Sequence, residues 1–144
     1  MTATQHYATE VEFGDCDPAG IALFRYGLPR DFRWMDAASR HYFRAYGLPE
    51  WRELTPQNGI IGTPLVDTQA RFLRPAHYGQ RIEVRSRISK WRQKSFVMTH
   101  SVHRGDELLL ECTEVRVFAT RHPEDPERIK AVALPEALRT LPPA

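Results

Sequence analysis

"PRDFRWMDAASRHYFRAYG", residues 29–47, is the one long stretch of this 144-residue sequence that reads as a helix. On a helical wheel Phe32, Met35, Ser39, Tyr42, Phe43 and Tyr46 fall in one stripe, while Arg33, Arg40, His41 and Arg44 lie away from it. Pro29 suits the first helical position, where its missing N–H is no loss, and Gly47 suits the residue that ends a helix. A helix over 29–46 with one buried face is therefore expected. "LPEWREL", residues 48–54, offers a further short turn opened by Pro49.

What buries that face must come from the flanking strands. Upstream, Gln5 to Phe13 alternates, with Tyr7, Thr9, Val11 and Phe13 on one side, until the run from Gly14 to Gly20 breaks it. Downstream of residue 60, four β-rich runs follow: "GTPLVDTQARFL", "QRIEVRSRISKW", "SFVMTHSVHR" and "LLLECTEVRVFAT". They read as consecutive antiparallel strands, with "RGDE" (104–107) as a hairpin turn whose glycine and aspartate are ordinary turn residues. After the charged, proline-rich "RHPEDPERIK" come a short piece near Ala131 and a brief helix over 135–141. One strand, one helix and then a series of strands predict a single α+β domain over residues 1–144, with a sheet packed on the helix.

Composition narrows the function. Apolar residues make up 42% of the chain, enough for a core, and twenty basic against eighteen acidic residues leave a net charge of +2. That balance speaks against a nucleic-acid or anionic-membrane partner. No run is long and apolar enough to span a membrane, and no basic-then-apolar segment opens the chain. Cys16 and Cys112 supply neither a C-x-x-C site nor a disulfide framework, so both are expected as free thiols in a reducing cytoplasm. The six histidines are scattered; His100 and His103, three apart on a strand, point to opposite faces, and no metal site is expected.

Nucleophile elbows, zinc helices, phosphate loops and dinucleotide turns are all missing from the sequence. Candidate chemistry then rests on "EFGDCDPAGI", residues 12–21, where Asp15 and Asp17 flank Cys16. Aspartates beside Pro18 and Gly20 are what a turn uses. Equally, a carboxylate facing a pocket can serve as nucleophile or general base without a serine or a metal. The helix start offers a complement, because Gly27 and Leu28 carry no capping oxygen and the first amides are left for an anion. Asp36 lies at the shoulder of the helix stripe, within reach of a pocket edge or of an ion pair with Arg40. Lys90, Arg92 and Lys94 in "KWRQKSF" read as a solvated turn or as cations for a phosphate ligand.

Six blocks, in order along nearly the whole chain, resemble the 4-hydroxybenzoyl-CoA thioesterase family of hot-dog-fold hydrolases: "EFGDCDPAGI" (12–21), "RWMDAASRHYF" (33–43), "GLPEWR" (47–52), "GIIGTPLV" (59–66), "KWRQKSFV" (90–97) with "HSV" (100–102), and "EVRVFA" (114–119). The resemblance implies a long central helix wrapped by a curved antiparallel sheet of about five strands. It also implies active sites shared between subunits of a dimer, with dimers paired into a homotetramer. Asp17 becomes the carboxylate that attacks the thioester or activates water, with Asp15 and Cys16 left to positioning and packing. The backbone N–H of Leu28 becomes the oxyanion donor. Thr63 falls near the reacting thioester, or is simply the start of a strand. Asp36 accepts a hydrogen bond from the substrate's ring hydroxyl, and Arg92 and Lys94 hold the nucleotide of CoA, which is part of the substrate, so no separate cofactor is implied. Two departures stand out: the stretch from Ile21 to Pro29 is longer than the family's connection, and Gln93 stands where a basic residue is usual. The expected activity is hydrolysis of a hydroxybenzoyl-type CoA thioester. The alternatives are a thioesterase for aliphatic or carrier-protein-bound acyl groups, and a non-catalytic nucleic-acid or acyl-binding module.

Overall fold

The computed structural model describes residues 4–22, 32–45 and 59–133. Within these, strand β1 (Gln5–Glu10) is followed by a single 3-10 turn (Phe13–Asp15), helix α1 (Phe32–Ala45) and five further strands. These are β2 (Leu65–Phe72), β3 (Arg81–Trp91), β4 (Ser95–Arg104), β5 (Glu107–Arg121) and β6 (Ile129–Val132). All pair antiparallel in one sheet, in the order β1-β3-β4-β5-β2, with β6 also on β5.

The expected α+β arrangement of one helix on an antiparallel sheet is observed, with six strands rather than about five. Strands β3, β4 and β5 form a meander; the β4–β5 hairpin turns at Gly105, whose φ of 60° is the left-handed conformation such a turn needs. The sequence order misleads at β2, which joins the far side of β5 instead of lying next to β3. β5 is long enough to hold everything. Its 15 residues pair with β4 on one side and with β2 on the other, and its end, Phe118 to Arg121, takes β6.

β1 stops sooner than its alternation implies. Phe13 leaves the strand for the 3-10 turn and is 66% exposed, because Glu12 N–H donates to Asp15 Oδ2 (3.0 Å) and folds the chain back on itself. The expected helix ends at 29–31 and 46, the short turn after Pro49, the segment carrying Leu28 and the brief helix at 135–141 lie outside the described residues.

Helix α1 packs on β1 and β3 through the expected stripe, with Met35, Ser39, Tyr42 and Phe43 buried, and Trp34 and Ala38 widen it. The core divides in two along the helix. Around its first half Val11, Trp34, Met35, Ala38, Val84, Val102 and Leu110 pack together; around its second half Tyr42, Phe43, Ile60, Ile88, Phe96, Met98 and Phe118 do so. Between the clusters, α1, β3, β4 and β5 contribute buried polar side chains: Ser39, Ser86, His100, and Glu114 with Arg116.

The second cluster is held by rings. Phe96 is fully buried, with its centroid 5.7 Å from Phe43, 5.6 Å from Trp91 and 5.1 Å from Phe118. Phe96→Ala removes all three contacts and is expected to cost about 3–5 kcal/mol. Urea unfolding should show this as a lower midpoint with an unchanged slope.

Candidate functional site

The "EFGDCDPAGI" stretch folds as a compact loop whose two aspartates do different work. Asp15 is buried, and its carboxylate accepts Arg33 Nη2 at 2.8 and 2.9 Å, the Glu12 amide at 3.0 Å and the Trp34 indole at 3.4 Å. It therefore ties the loop to the first turn of α1. Arg33 keeps its proton more firmly than usual: burial works against it, but Asp15 and Glu12 outweigh that. Cys16, half-buried, sends its thiol toward the Glu12 carbonyl at 3.4 Å.

Asp17 is half-buried at the loop tip. Its Oδ1 accepts the amides of Ala19 (2.9 Å) and Ile21 (3.1 Å), and its backbone bonds Ile21 and Gly20. The turn chemistry expected of such an aspartate is thus present, and it engages Oδ1.

An open cleft of about 1170 Å³ lies along α1, lined among others by Arg33, Asp36, Ser39, Gly62, Thr63 and Arg116. Thr63 reaches it because residues 61–64 run beside the end of β5, with Ile61 N–H on the Ala119 carbonyl (2.8 Å) and Ala119 N–H on Gly62 (3.1 Å). Asp36 and Thr63 are brought together here. Asp17 does not line the cleft of its own chain, nor do Arg92 and Lys94, which sit exposed in the turn joining β3 to β4. Leu28 lies outside the described residues.

Asp36 pairs across the fold, not along the helix. Its Oδ1 accepts Arg116 Nη2 at 2.9 Å, and the same guanidinium donates to the Thr63 carbonyl through Nη1 (3.0 Å) and to Glu114 Oε2 through Nε (2.9 Å). Glu114 Oε2 also accepts Ser39 Oγ (3.3 Å) and lies 3.1 Å from His100 Nε2, while His100 Nδ1 is 2.7 Å from Ser86 Oγ. An ionised carboxylate only accepts, so Nε2 carries the hydrogen in that contact. Burial pushes the Glu114 carboxyl up, but the His100 and Arg116 hydrogen bonds and charges prevail and hold it at about 2. Arg116 responds in kind: burial alone disfavours its charge, and Glu114 and Asp36 more than restore it.

This network escaped the sequence reading. A signal was present, because Leu110, Cys112, Glu114, Arg116 and Phe118 occupy alternate positions of β5 and all are buried. Opposite charges two apart on an otherwise apolar strand face mark a core ion pair. His100 stands likewise between Met98 and Val102 on β4. Cys112 on the same face is a free thiol pushed up by burial to about 11, which makes it inert.

The family model for the thioesterase-like superfamily matches residues 11–140. The chain belongs to the thioesterase-like superfamily. The 4-hydroxybenzoyl-CoA thioesterase of Pseudomonas sp. (strain CBS-3) is 46% identical over 130 residues, 87% of each chain. A 1,4-dihydroxy-2-naphthoyl-CoA hydrolase of Prochlorococcus marinus (strain MIT 9303) is 32% identical over 124 residues, 78% of this chain and 77% of that one. Among solved structures, a D17N variant of 4-hydroxybenzoyl-CoA thioesterase complexed with 4-hydroxybenzoyl-CoA superposes with a TM-score of 0.87 at 41% identity, covering 97% of this chain and 99% of that one. The family resemblance and the hot-dog fold read from the six sequence blocks both hold. No helix among the described residues of this thioesterase-like chain is long and apolar enough to cross a membrane.

Because the Glu114 carboxyl is held below its ordinary value of 4.5, the folded state binds fewer protons than the unfolded one as pH drops. The stabilisation is complete above pH 4.5 and is lost as pH falls toward about 2. Glu114→Gln should lower stability at neutral pH by about 1–3 kcal/mol, since Arg116 Nε and His100 lose the charge they face while Asp36 stays on Arg116 Nη2. Urea unfolding across pH 2 to 7 should also show a shallower acid dependence in this variant.

Proposed function

We propose that this chain hydrolyses a hydroxybenzoyl-type CoA thioester to the free aromatic acid and CoA, with Asp17 as the reacting carboxylate. The observation that carries the reading is the 46% identity to 4-hydroxybenzoyl-CoA thioesterase over 87% of both chains. The related structure that holds intact 4-hydroxybenzoyl-CoA is an aspartate-to-asparagine variant. Unhydrolysed ester is what removal of a reacting carboxylate leaves behind.

In this mechanism Asp17 Oδ2 attacks the thioester carbonyl carbon. The C–S bond breaks, CoA leaves as the thiolate, and water then cleaves the acyl-aspartyl anhydride. The negative charge that develops on the carbonyl oxygen needs a preorganised donor, a role this reading gives to the backbone N–H of Leu28. Thr63 orients the reacting groups, Asp36 accepts the ring hydroxyl, and Arg92 and Lys94 meet the phosphates of CoA. No cofactor enters, since CoA arrives as part of the substrate.

Such a site takes two copies of the chain. Asp17 is not among the described residues that line the cleft with Asp36 and Thr63, which supports the reading that the loop of one subunit serves the cleft of another. The assembly in this reading is a homotetramer, a dimer of dimers. Strand β2, last in the order of the described strands, supports association, with Leu65 41%, Val66 61% and Phe72 45% exposed. Free Cys16 and Cys112 suit a reducing cytoplasm.

Thiol release from 4-hydroxybenzoyl-, 3-hydroxybenzoyl-, gentisyl-, phenylacetyl-, hexanoyl- and octanoyl-CoA tests the substrate. The hydroxylated aromatic esters should lead, and a preference for the aliphatic ones would reject the proposal. Asp17→Asn keeps an oxygen acceptor for the two loop amides, so the fold and CoA affinity should survive while turnover falls by several orders of magnitude; ordinary activity refutes the role. Arg92→Ala should chiefly raise KM for CoA esters, and equal hydrolysis of 3′-dephospho-CoA esters would remove the nucleotide assignment.

A further inference from the structure

We propose that Arg116 is the positioning residue that gives the cleft its preference for a hydroxylated acyl ring, by aiming the Asp36 carboxylate and fixing the Thr63 wall with one guanidinium. This rests on the reading of Asp36 as the acceptor of the ring hydroxyl.

The geometry points to Arg116 because the Asp36 side chain is 72% exposed and stands on a helix surface, where a short carboxylate has little else to orient it. Arg116, by contrast, is 7% exposed and immobilised from behind. Its Nε is held by Glu114 at 2.9 Å, and Glu114 is held by His100 and Ser39. The two terminal nitrogens then emerge into the cleft in a fixed plane, Nη2 on Asp36 Oδ1 and Nη1 on the Thr63 carbonyl. A planar fork with both outer donors engaged sets direction as well as distance. A carboxylate has about four lone-pair sites, so accepting Nη2 on Oδ1 still leaves room for a phenolic hydroxyl. Helix α1 and the segment before β2 meet the same cation, so the ring-binding carboxylate and the wall beside the thioester keep a constant separation.

Lysine cannot reproduce this, because a single ammonium replaces three donor atoms in a rigid plane. In Arg116→Lys, kcat/KM for 4-hydroxybenzoyl-CoA should fall roughly 10- to 100-fold. Benzoyl-CoA has no hydroxyl to place and should lose less, so the ratio between the two esters should drop toward one. The double variant Arg116→Lys with Asp36→Asn should discriminate no worse than Asp36→Asn alone, since both changes remove one interaction. If Arg116→Lys fails to fold, the paired change Arg116→Gln with Glu114→Gln removes both buried charges together and allows the same comparison. Equal proportional losses on the two esters, or independent effects of the Arg116 and Asp36 changes on their ratio, would overturn the positioning role. A wild-type protein that hydrolyses neither aromatic ester fails earlier and differently: it sinks the substrate reading, and this proposal with it.

Discussion

A single buried negative charge governs how this chain can be assembled. Glu114 has no solvent exposure, and a carboxylate in that position is tolerable only if cations and hydroxyls come to it. They come from four elements: Ser39 on α1, His100 on β4 with Ser86 of β3 behind it, and Arg116 from β5 itself. Alternation makes this demand directional. A slip of one residue in any of these strands turns its polar member outward and an exposed residue inward, leaving the charge unmatched. The apolar clusters on either side supply most of the driving force, yet apolar packing alone tolerates many arrangements. The polar seam between them accepts few.

The opening loop solves a related problem on a smaller scale. In the proposed mechanism a reacting carboxylate must be held still without being used up by what holds it. Asp15 takes the structural load, buried against Arg33 and Trp34, and Asp17 gives one oxygen to the turn. Because the turn engages Oδ1 of Asp17, a turn-forming aspartate and the proposed reacting carboxylate are compatible readings of one residue.

Much of this architecture was readable from periodicity. Strands β3, β4 and β5 and the buried face of α1 follow from alternation and the helical wheel, because each is an amphipathic element whose pattern is local. The partner of β2 was not readable, since pairing is decided by which edge of the sheet is open after the meander forms. Phe13 misled because its place in the alternation was overruled by the Asp15 carboxylate folding the chain at Glu12. Among the candidate residues, Asp17 drew notice from a short motif, Asp36 from the helical wheel and Thr63 from the family resemblance. Arg116 and Glu114 did not, and His100 did so only beside His103 as a metal pair set aside, because most of their partners lie 14 to 80 residues away.

The order of elements also has a consequence for how the molecule comes into being. α1 is made early, but its deepest contacts, with Phe96, Met98, Leu110 and Phe118, belong to strands synthesised long afterwards. During translation, the native cover of Trp34, Met35, Tyr42 and Phe43 stays incomplete until β5 has left the ribosome. The nascent chain therefore carries a sticky helix for most of its synthesis, a natural client for holding chaperones, and it closes only when the last long strand arrives.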